Sequence, residues 1–275
     1  MIEVKNVWFS YDGQRYVIRD ISLEIERGRY VAIMGENGAG KSTLIKHLNG
    51  LLKPNRGEVY VDGLNVAETP TSTLSRKVAL VFQNPESMFF SETVYKEASF
   101  GLKNLGFSAD DIHSQVMKYL KLFGLQDYVD RSPFTLSSGE QRRLAFSCIL
   151  AWNPDYVVLD EPTAGQDRYQ RGLLKDVIDQ LISEGRTVII VSHDVEFVAE
   201  TSPEIFLMAD GKIISRGKAR DILSDEEAIS RSGLILPQVT ETLHRIGEFG
   251  LPRDIISPAE AADHLSRLLK GDRFA

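Results

Sequence analysis

A single cysteine in 275 residues rules out an intrachain disulfide, which fits a reducing compartment such as the cytosol. That thiol, Cys148, lies in the apolar run Leu144-Ala-Phe-Ser-Cys-Ile-Leu150, where a buried, inert side chain is expected over a nucleophile. No apolar run approaches the ~20 residues of a membrane-spanning helix. The opening Met1-Ile-Glu-Val-Lys-Asn-Val7 alternates and carries an acid, so it reads as a strand and not as a signal peptide. Positive charge is not in surplus: 32 Lys and Arg face 39 Asp and Glu, for a net charge of −7. No nucleic-acid partner is expected on that balance. Internal repeats and low-complexity segments are absent as well. The remainder, 43% hydrophobic and 26% charged, describes a globular protein with one large domain or a domain plus an appendage.

Alternating apolar and polar residues predict β-structure at Ile2-Glu-Val-Lys-Asn-Val-Trp-Phe9 and over 16–25. Gly57-Glu-Val-Tyr-Val-Asp-Gly63 ends in a hairpin turn signal, and 77–82 reads as another strand. From about 91 to 150 the texture turns helical. Ser108 with Asp111 marks a helix start, and Ile112, Val116, Tyr119, Leu120 and Phe123 form one stripe. Apolar strands return at Tyr156-Val-Val-Leu159 and Thr187-Val-Ile-Ile-Val191 around a helical stretch over 169–183, and a last hairpin turns on Asp210-Gly211. Such strand–helix–strand alternation predicts a parallel α/β core. Residues 226–275 differ. Ser257-Pro258-Ala-Glu260 reads as a capping box, followed by Ala261, Leu265, Leu268 and Leu269 on one face; Val239, Leu243 and Ile246 form a similar stripe upstream. Two helices this short are expected to need the main domain or a partner to bury those stripes.

The most specific feature is Gly35-Glu36-Asn37-Gly38-Ala39-Gly40-Lys41-Ser42, which reads G-x-x-x-x-G-K-S. It stands between a short buried-type strand, Tyr30-Val-Ala-Ile-Met34, and a helical stretch that continues through Thr43 to Leu48. The glycines let the backbone wrap an anion, so that N–H groups and a helix N-terminus point at phosphate oxygens. Lys41 can reach the β- and γ-phosphates and the Ser42 hydroxyl can ligate Mg²⁺. A chance match would arise in roughly one chain of this length per hundred, and it would not come with those flanks. A nucleotide, with Mg²⁺, is therefore the expected ligand.

A second motif supports the first. The apolar strand at 156–159 delivers Asp160 to its carboxyl end, where α/β sheets bind ligands, and Glu161 follows directly. A carboxylate there can hold Mg²⁺, and its neighbour can accept a proton from attacking water; in isolation, two adjacent acids would be a solvated turn. Beginning 24 residues before Asp160, Leu136-Ser137-Ser138-Gly139-Glu140-Gln141-Arg142-Arg143 opens a helix with small polar residues and free N–H groups, an anion site by the helix-dipole argument.

Placed between the two nucleotide motifs, that segment resembles the L-S-G-G-Q signature of the ATP-binding-cassette (ABC) ATPases. The resemblance covers roughly 1–220, and other landmarks fall in order. Phe82-Gln83-Asn84-Pro85 resembles the Q-loop, which implies that Gln83 ligates Mg²⁺ and senses the attacking water. Pro162-Thr-Ala-Gly-Gln-Asp167 resembles the D-loop that crosses the dimer interface, and Val191-Ser-His193-Asp194 resembles the H-loop, whose histidine contacts the γ-phosphate. Phe9-Ser-Tyr11 resembles the A-loop, implying that Tyr11 stacks on adenine, although the same ring could simply end a strand. Within the family, Phe82-Gln-Asn-Pro-Glu-Ser-Met-Phe89, Thr93-Val94 and Phe100-Gly-Leu-Lys-Asn-Leu-Gly106 look like the ATPases of energy-coupling-factor importers for vitamins and transition-metal ions. Met88 stands where that branch usually has a second Gln, Gln166 where the D-loop usually has Leu, and Ser138 replaces the first paired glycine. If the signature needs a positive φ, Ser138 should weaken the clamp by on the order of 1 kcal/mol.

The resemblance implies a P-loop NTPase, RecA-like α/β core with an antiparallel β subdomain and a helical signature subdomain over about 84–150. Together these make a nucleotide-binding domain at 1–225, followed by a small helical extension at 226–275. It implies ATP sandwiched head to tail between this chain and a second ATPase, identical or paralogous. It also implies an integral-membrane transporter subunit and a peripheral place on the cytoplasmic face of the membrane; 83–105, where Met88, Phe89 and Phe90 stand in a row, is the expected docking segment, with ordinary core packing as the alternative for those side chains. Other cassette importers or exporters remain alternatives, as does a non-hydrolytic ATP-gated module, which the presence of Glu161 and His193 disfavours. A chromosome- or repair-type ATPase would insert long coiled coils between Lys41 and Leu136, where this sequence has no heptad run.

Overall fold

The computed structural model describes residues 1–84, 88–246 and 251–269. Pro85 of the Q-loop stretch, with Glu86 and Ser87, lies outside them, as do the side chains of Leu268 and Leu269. In chain order the elements are β1 (Ile2–Phe9), β2 (Ile18–Ile25), β3 (Tyr30–Met34), α1 (Lys41–Leu48), β4 (Arg56–Val61), β5 (Leu64–Asn65), α2 (Thr71–Lys77), β6 (Val78–Val81), α3 (Val94–Asn104), α4 (Ala109–Leu122) and α5 (Ser138–Leu150). They continue with β7 (Tyr156–Asp160), α6 (Arg168–Ser183), β8 (Thr187–Ser192), α7 (Val195–Thr201), β9 (Glu204–Ala209), β10 (Lys212–Lys218), α8 (Ala219–Leu223), α9 (Glu226–Arg231), α10 (Gln238–Arg245) and α11 (Pro258–Leu269).

The central sheet has the order β10-β9-β3-β8-β7-β6, parallel throughout except for the antiparallel edge strand β10. Its inner strands are apolar on both faces because both are covered. On β3, Ala32 and Met34 join one core, which the helices from α3 to α9 close; Val31 and Ile33 join a second, which packs against α1 and the other sheet. Each fully buried aliphatic side chain there contributes about 1.5–3 kcal/mol.

The other sheet is antiparallel, of order β2-β1-β4-β5. Its alternation breaks at Asn6, which sits at φ 48 where the register of β1 shifts against both neighbours. Gly57 on β4 is required opposite this bulge, since a Cβ there would fall 2.2 Å from the Asn6 carbonyl oxygen. Asp62-Gly63 and Asp210-Gly211 make the two expected hairpin turns, all four residues at positive φ. Asp62 also joins the two sheets: it accepts from Arg27, Lys77 and the Tyr156 hydroxyl, the last at 2.7 Å.

Four points depart from the sequence reading. The strand expected over 16–25 starts at Ile18, and α2 occupies a stretch not read as helical. Glu260, read as half of a capping box, pairs with Arg220. The C-terminal helices do form a small core of their own, Leu243, Leu251, Ile255 and Ala261, with Val239 and Ile246 against it, while Leu265 stays exposed. Leu236 and Ile256 attach that unit to the main core, to which Ala228 and Ile229 of α9 also belong.

Candidate active site

Parallel strands place the loops that follow them at one end of the sheet, and the register decides which loops meet. Met34 pairs with Ser192, Val191 with Asp160, and Leu159 with Val81. The turns after β3, β8, β7 and β6 therefore converge, bringing together 35–43, His193, Glu161 and Gln83.

The loop from Gly35 to Gly40 is shaped by close approach. Gly35 and Gly40 have φ of 150 and 99; a Cβ on Gly35 would meet the Met208 carbonyl oxygen at 2.3 Å, and one on Gly40 the Val17 oxygen at 2.9 Å. Gly38, at φ 91, needs its freedom for conformation alone. Ala39 is buried, whereas Glu36 and Asn37 are exposed. Gly40 caps α1 in the left-handed region without a side-chain bond, so the first N–H groups of α1, those of Lys41, Ser42 and Thr43, are available to an anion. Lys41 is 5% exposed and donates to the carbonyl oxygens of Gly35 at 2.7 Å and Glu36 at 3.0 Å, with the Glu161 carboxylate at 3.7 Å. Burial pulls its ammonium down, against the opposing charges of Glu161 and Asp160.

Asp160 ends β7 and accepts from the Ser42 hydroxyl at 3.1 Å. Burial pushes its carboxyl up, opposed by that bond and reinforced by the charge of Glu161. Among the described residues no group of three or more His, Cys, Asp or Glu side chains could cage a metal. Two hard oxygen donors 3.1 Å apart suit Mg²⁺, which takes few protein ligands and completes its shell with phosphate oxygens and water. Gln83, exposed just beyond β6, is available on the same side of the sheet.

Glu161 is buried and held at φ 48, a left-handed conformation costing about 1–2 kcal/mol for a residue with a Cβ. Its N–H donates to the Val191 carbonyl, and one carboxylate oxygen lies 2.9 Å from His193 Nδ1. His193 is 49% exposed, leaving the rest of its ring open to a ligand. Tyr11 lies beyond the end of β1, 60% exposed, with its hydroxyl 3.2 Å from Thr43 Oγ1 and its ring edge-on to Phe9. It does not end the strand.

The signature stands apart from this group. No hydrogen bond among the described residues joins 137–140 to 35–43. Ser137 caps α5, and Glu140 returns its carboxylate to the Ser137 N–H and hydroxyl, which hold it below the usual range. Glu140 is thereby committed to the capping box. Ser138 is the first residue of α5 and is not at positive φ, so the strain expected of it is absent. Asp167 caps α6 by accepting from the Gln170 N–H at 2.8 Å.

Two contacts at this site escaped the sequence reading. The Glu36 N–H donates to the Ser232 carbonyl at 2.9 Å, and Gly233, at φ 70, comes so close that a Cβ would fall 2.6 Å from Glu36 Oε2. Arg171 of α6 pairs at 2.7 Å with Asp194, beside His193. Neither has a local signal, since its members are far apart along the chain.

The model of the family described as ABC transporter matches residues 18–164, and both strand-end motifs and the signature lie within that span. The chain belongs to the ABC transporter family. It is an ATPase subunit whose hydrolysis is coupled to transport, with a cassette of the P-loop NTPase fold. The ATPase is 40% identical to the energy-coupling factor transporter ATP-binding protein EcfA of Methanothermobacter thermautotrophicus, over 99% of this chain and 88% of that one. Among solved structures it is similar to cbiO1 of Clostridium perfringens, part of the ABC transporter complex cbiONQ (31% identity, TM-score 0.75, 90% of this chain and 97% of that one). It is similar also to the cassette MJ0796, solved as a dimer in a post-hydrolysis state with ADP and Pi (28% identity, TM-score 0.73, 80% and 99% covered). No helix among the described residues of the ATPase is long and apolar enough to cross a membrane.

Proposed function

We propose that this ATPase is the motor of an energy-coupling-factor importer for a vitamin or a transition-metal ion, bound peripherally to an integral-membrane subunit at the cytoplasmic face. The observation that carries this reading is likeness over 99% of the chain, the extension at 226–275 included, to a relative named as an energy-coupling factor transporter ATP-binding protein.

The site geometry supports the following division of labour. The triphosphate lies in the loop 35–40 against the N–H groups of Lys41, Ser42 and Thr43, with the Lys41 ammonium turning from carbonyl oxygens to phosphate. Tyr11 stacks on adenine. Mg²⁺ held by Ser42, Asp160 and Gln83 would neutralise charge on the β- and γ-phosphate oxygens. Glu161 accepts the proton of the attacking water, while His193 steadies Glu161 and meets the γ-phosphate. Ser137 and Ser138 are exposed, and with Gly139 they present the N-terminus of α5, and Asp167 the D-loop, to a second ATPase across a head-to-tail dimer. That the similar cassette MJ0796 was solved as a dimer with ADP and Pi supports a dimer of ATPases.

For the membrane contact, the structure refines which residues to test. Phe89 is buried in the main core, whereas Phe90 and Phe100 are 59% and 44% exposed and pack edge to face with centroids 4.6 Å apart. An exposed aromatic pair just beyond Gln83 suits an apolar partner surface. Phe90→Glu with Phe100→Glu should abolish copurification with a small integral-membrane protein from native membranes, with ATP binding retained. Retained association would remove the docking assignment, and copurification with an unrelated permease would remove the energy-coupling-factor reading.

A further inference from the structure

Inside one chain the signature helix is tied to the loop behind Glu161 by two contacts. Arg142, in the second turn of α5, donates from Nη1 to the Ala164 carbonyl at 2.7 Å and the Pro162 carbonyl at 3.2 Å, and from Nη2 to the Gln83 carbonyl at 3.5 Å. Pro162 is the residue directly after Glu161. One guanidinium therefore holds main-chain atoms on both the Glu161 and the Gln83 loops while riding on the helix that carries 137–139. One turn earlier, Gly139 lies so close to α6 that a Cβ would fall 2.4 Å from Gln170 Nε2, and the Gln170 N–H is itself fixed to Asp167. A planar fork of five donors that cannot lose its charge is suited to gripping several carbonyls in a fixed geometry, which the single rotating ammonium of a lysine does less well.

We propose that Arg142 is a positioning residue that makes the signature and the Glu161–Gln83 side of this chain a single unit, so that one side chain sets both nucleotide sites of the dimer. The proposal rests on the head-to-tail reading above, in which 137–139 serve the partner's ATP and Glu161 and Gln83 serve ATP bound at Lys41 of the same chain. Arg142 lies on neither the phosphate loop nor 137–139, so its loss acts through the loops it holds.

The test uses dimers of two differently tagged copies of the full chain, one carrying Glu161→Gln so that a single site works. In one arrangement Arg142→Ala sits in the copy with intact Glu161. In the other it sits in the Glu161→Gln copy, whose signature faces the working site. The expected result is a fall in kcat of roughly tenfold in both arrangements, the scale of lost charge-assisted hydrogen bonds, with KM for ATP unchanged and partial recovery in Arg142→Lys. A fall in one arrangement only would make Arg142 a prop of a single site and overturn the proposal, as would no fall in either. Should Arg142→Ala fail to fold, Arg142→Gln carries the same comparison. Failure of the Glu161→Gln pair to dimerise with ATP while Arg142 is intact would instead overturn the head-to-tail reading.

Discussion

His193 Nδ1 stands 2.9 Å from Glu161 Oε1, and the His193 N–H also points at the other carboxylate oxygen, at 3.4 Å. With the proton on Nδ1, the imidazole donates to Glu161 and presents Nε2 outward. Lys41 Nζ lies 3.7 Å from that same Oε1, so a buried acid on a left-handed backbone is aimed by its two neighbours and not by its own flexibility.

Glu161→Gln keeps that shape and removes the proton acceptor. Hydrolysis should fall by roughly 10²–10⁴-fold, the usual loss for a general base, while ATP binding persists and a nucleotide-bound dimer accumulates. Turnover at the parental rate in a phosphate-release assay would remove Glu161 from the mechanism.

Lys41→Ala should weaken ATP binding by roughly tenfold or more, because a triphosphate in a half-closed loop loses a charge-assisted partner. The Gly35 and Glu36 carbonyls that Lys41 caps would also lose their donor. Equilibrium titration with a fluorescent nucleotide measures this, and an unchanged Kd would contradict the phosphate-loop assignment.

Ser138→Gly now has an expected sign opposite to the one the sequence suggested. Ser138 occupies a right-handed helical position, so glycine relieves no strain and adds backbone freedom costing about 0.5–1 kcal/mol at most. The ATP concentration needed to close dimers, measured with Glu161→Gln present, should stay level or rise severalfold. A clear fall would restore the strain account.

The C-terminal unit carries exposed Leu265, and Ile235, 73% exposed, precedes it, which suits a contact between two ATPase chains. Since Ser232 touches the phosphate loop and Leu236 joins the main core, a cut must spare both, and a chain ending at Pro237 does so. It should dimerise more weakly without nucleotide and bind ATP as before. Unchanged sedimentation without ATP would leave the extension a purely intrachain element.

Asp62 makes a pH prediction. Burial pushes its carboxyl up, but the hydrogen bonds from Arg27, the Met1 ammonium, Tyr156 and Lys77 outweigh that and hold it far below the usual carboxylate range. A carboxyl depressed on folding stabilises fully above its unfolded pKa of about 3.9, and that contribution drains away as pH falls toward the folded value. Asp62→Asn should therefore cost roughly 2 kcal/mol at pH 7, with a gap to the parent that narrows below about pH 4. A gap that stays constant in denaturant titrations down to pH 2 would show that Asp62 is not held in this way.

The sequence alone determined what depends on neighbours a few residues apart. The continuous apolar run at 156–159, the turn at Asp62-Gly63, the Ser108 cap, and the glycines and lysine of 35–41 are local patterns, fixed by backbone geometry and by which faces must be buried. Because each proposed site side chain stands on such an element or directly after it, Lys41, Asp160, Glu161 and His193 could be named as candidates before their positions were known. Tertiary structure decided what depends on partners remote in the chain. The register of the parallel strands brings Glu161 to His193; the turn at Ser232 braces Glu36; Arg142 reaches back to Gln83; the main core swallows Phe89 and leaves Phe90 out. The backbone angle of Ser138 has both a local and a tertiary source. A helix's starting residue is set by its cap, here the Ser137–Glu140 box, and the packing of α5 against its neighbours holds it there, which no reading of serine against glycine could reveal.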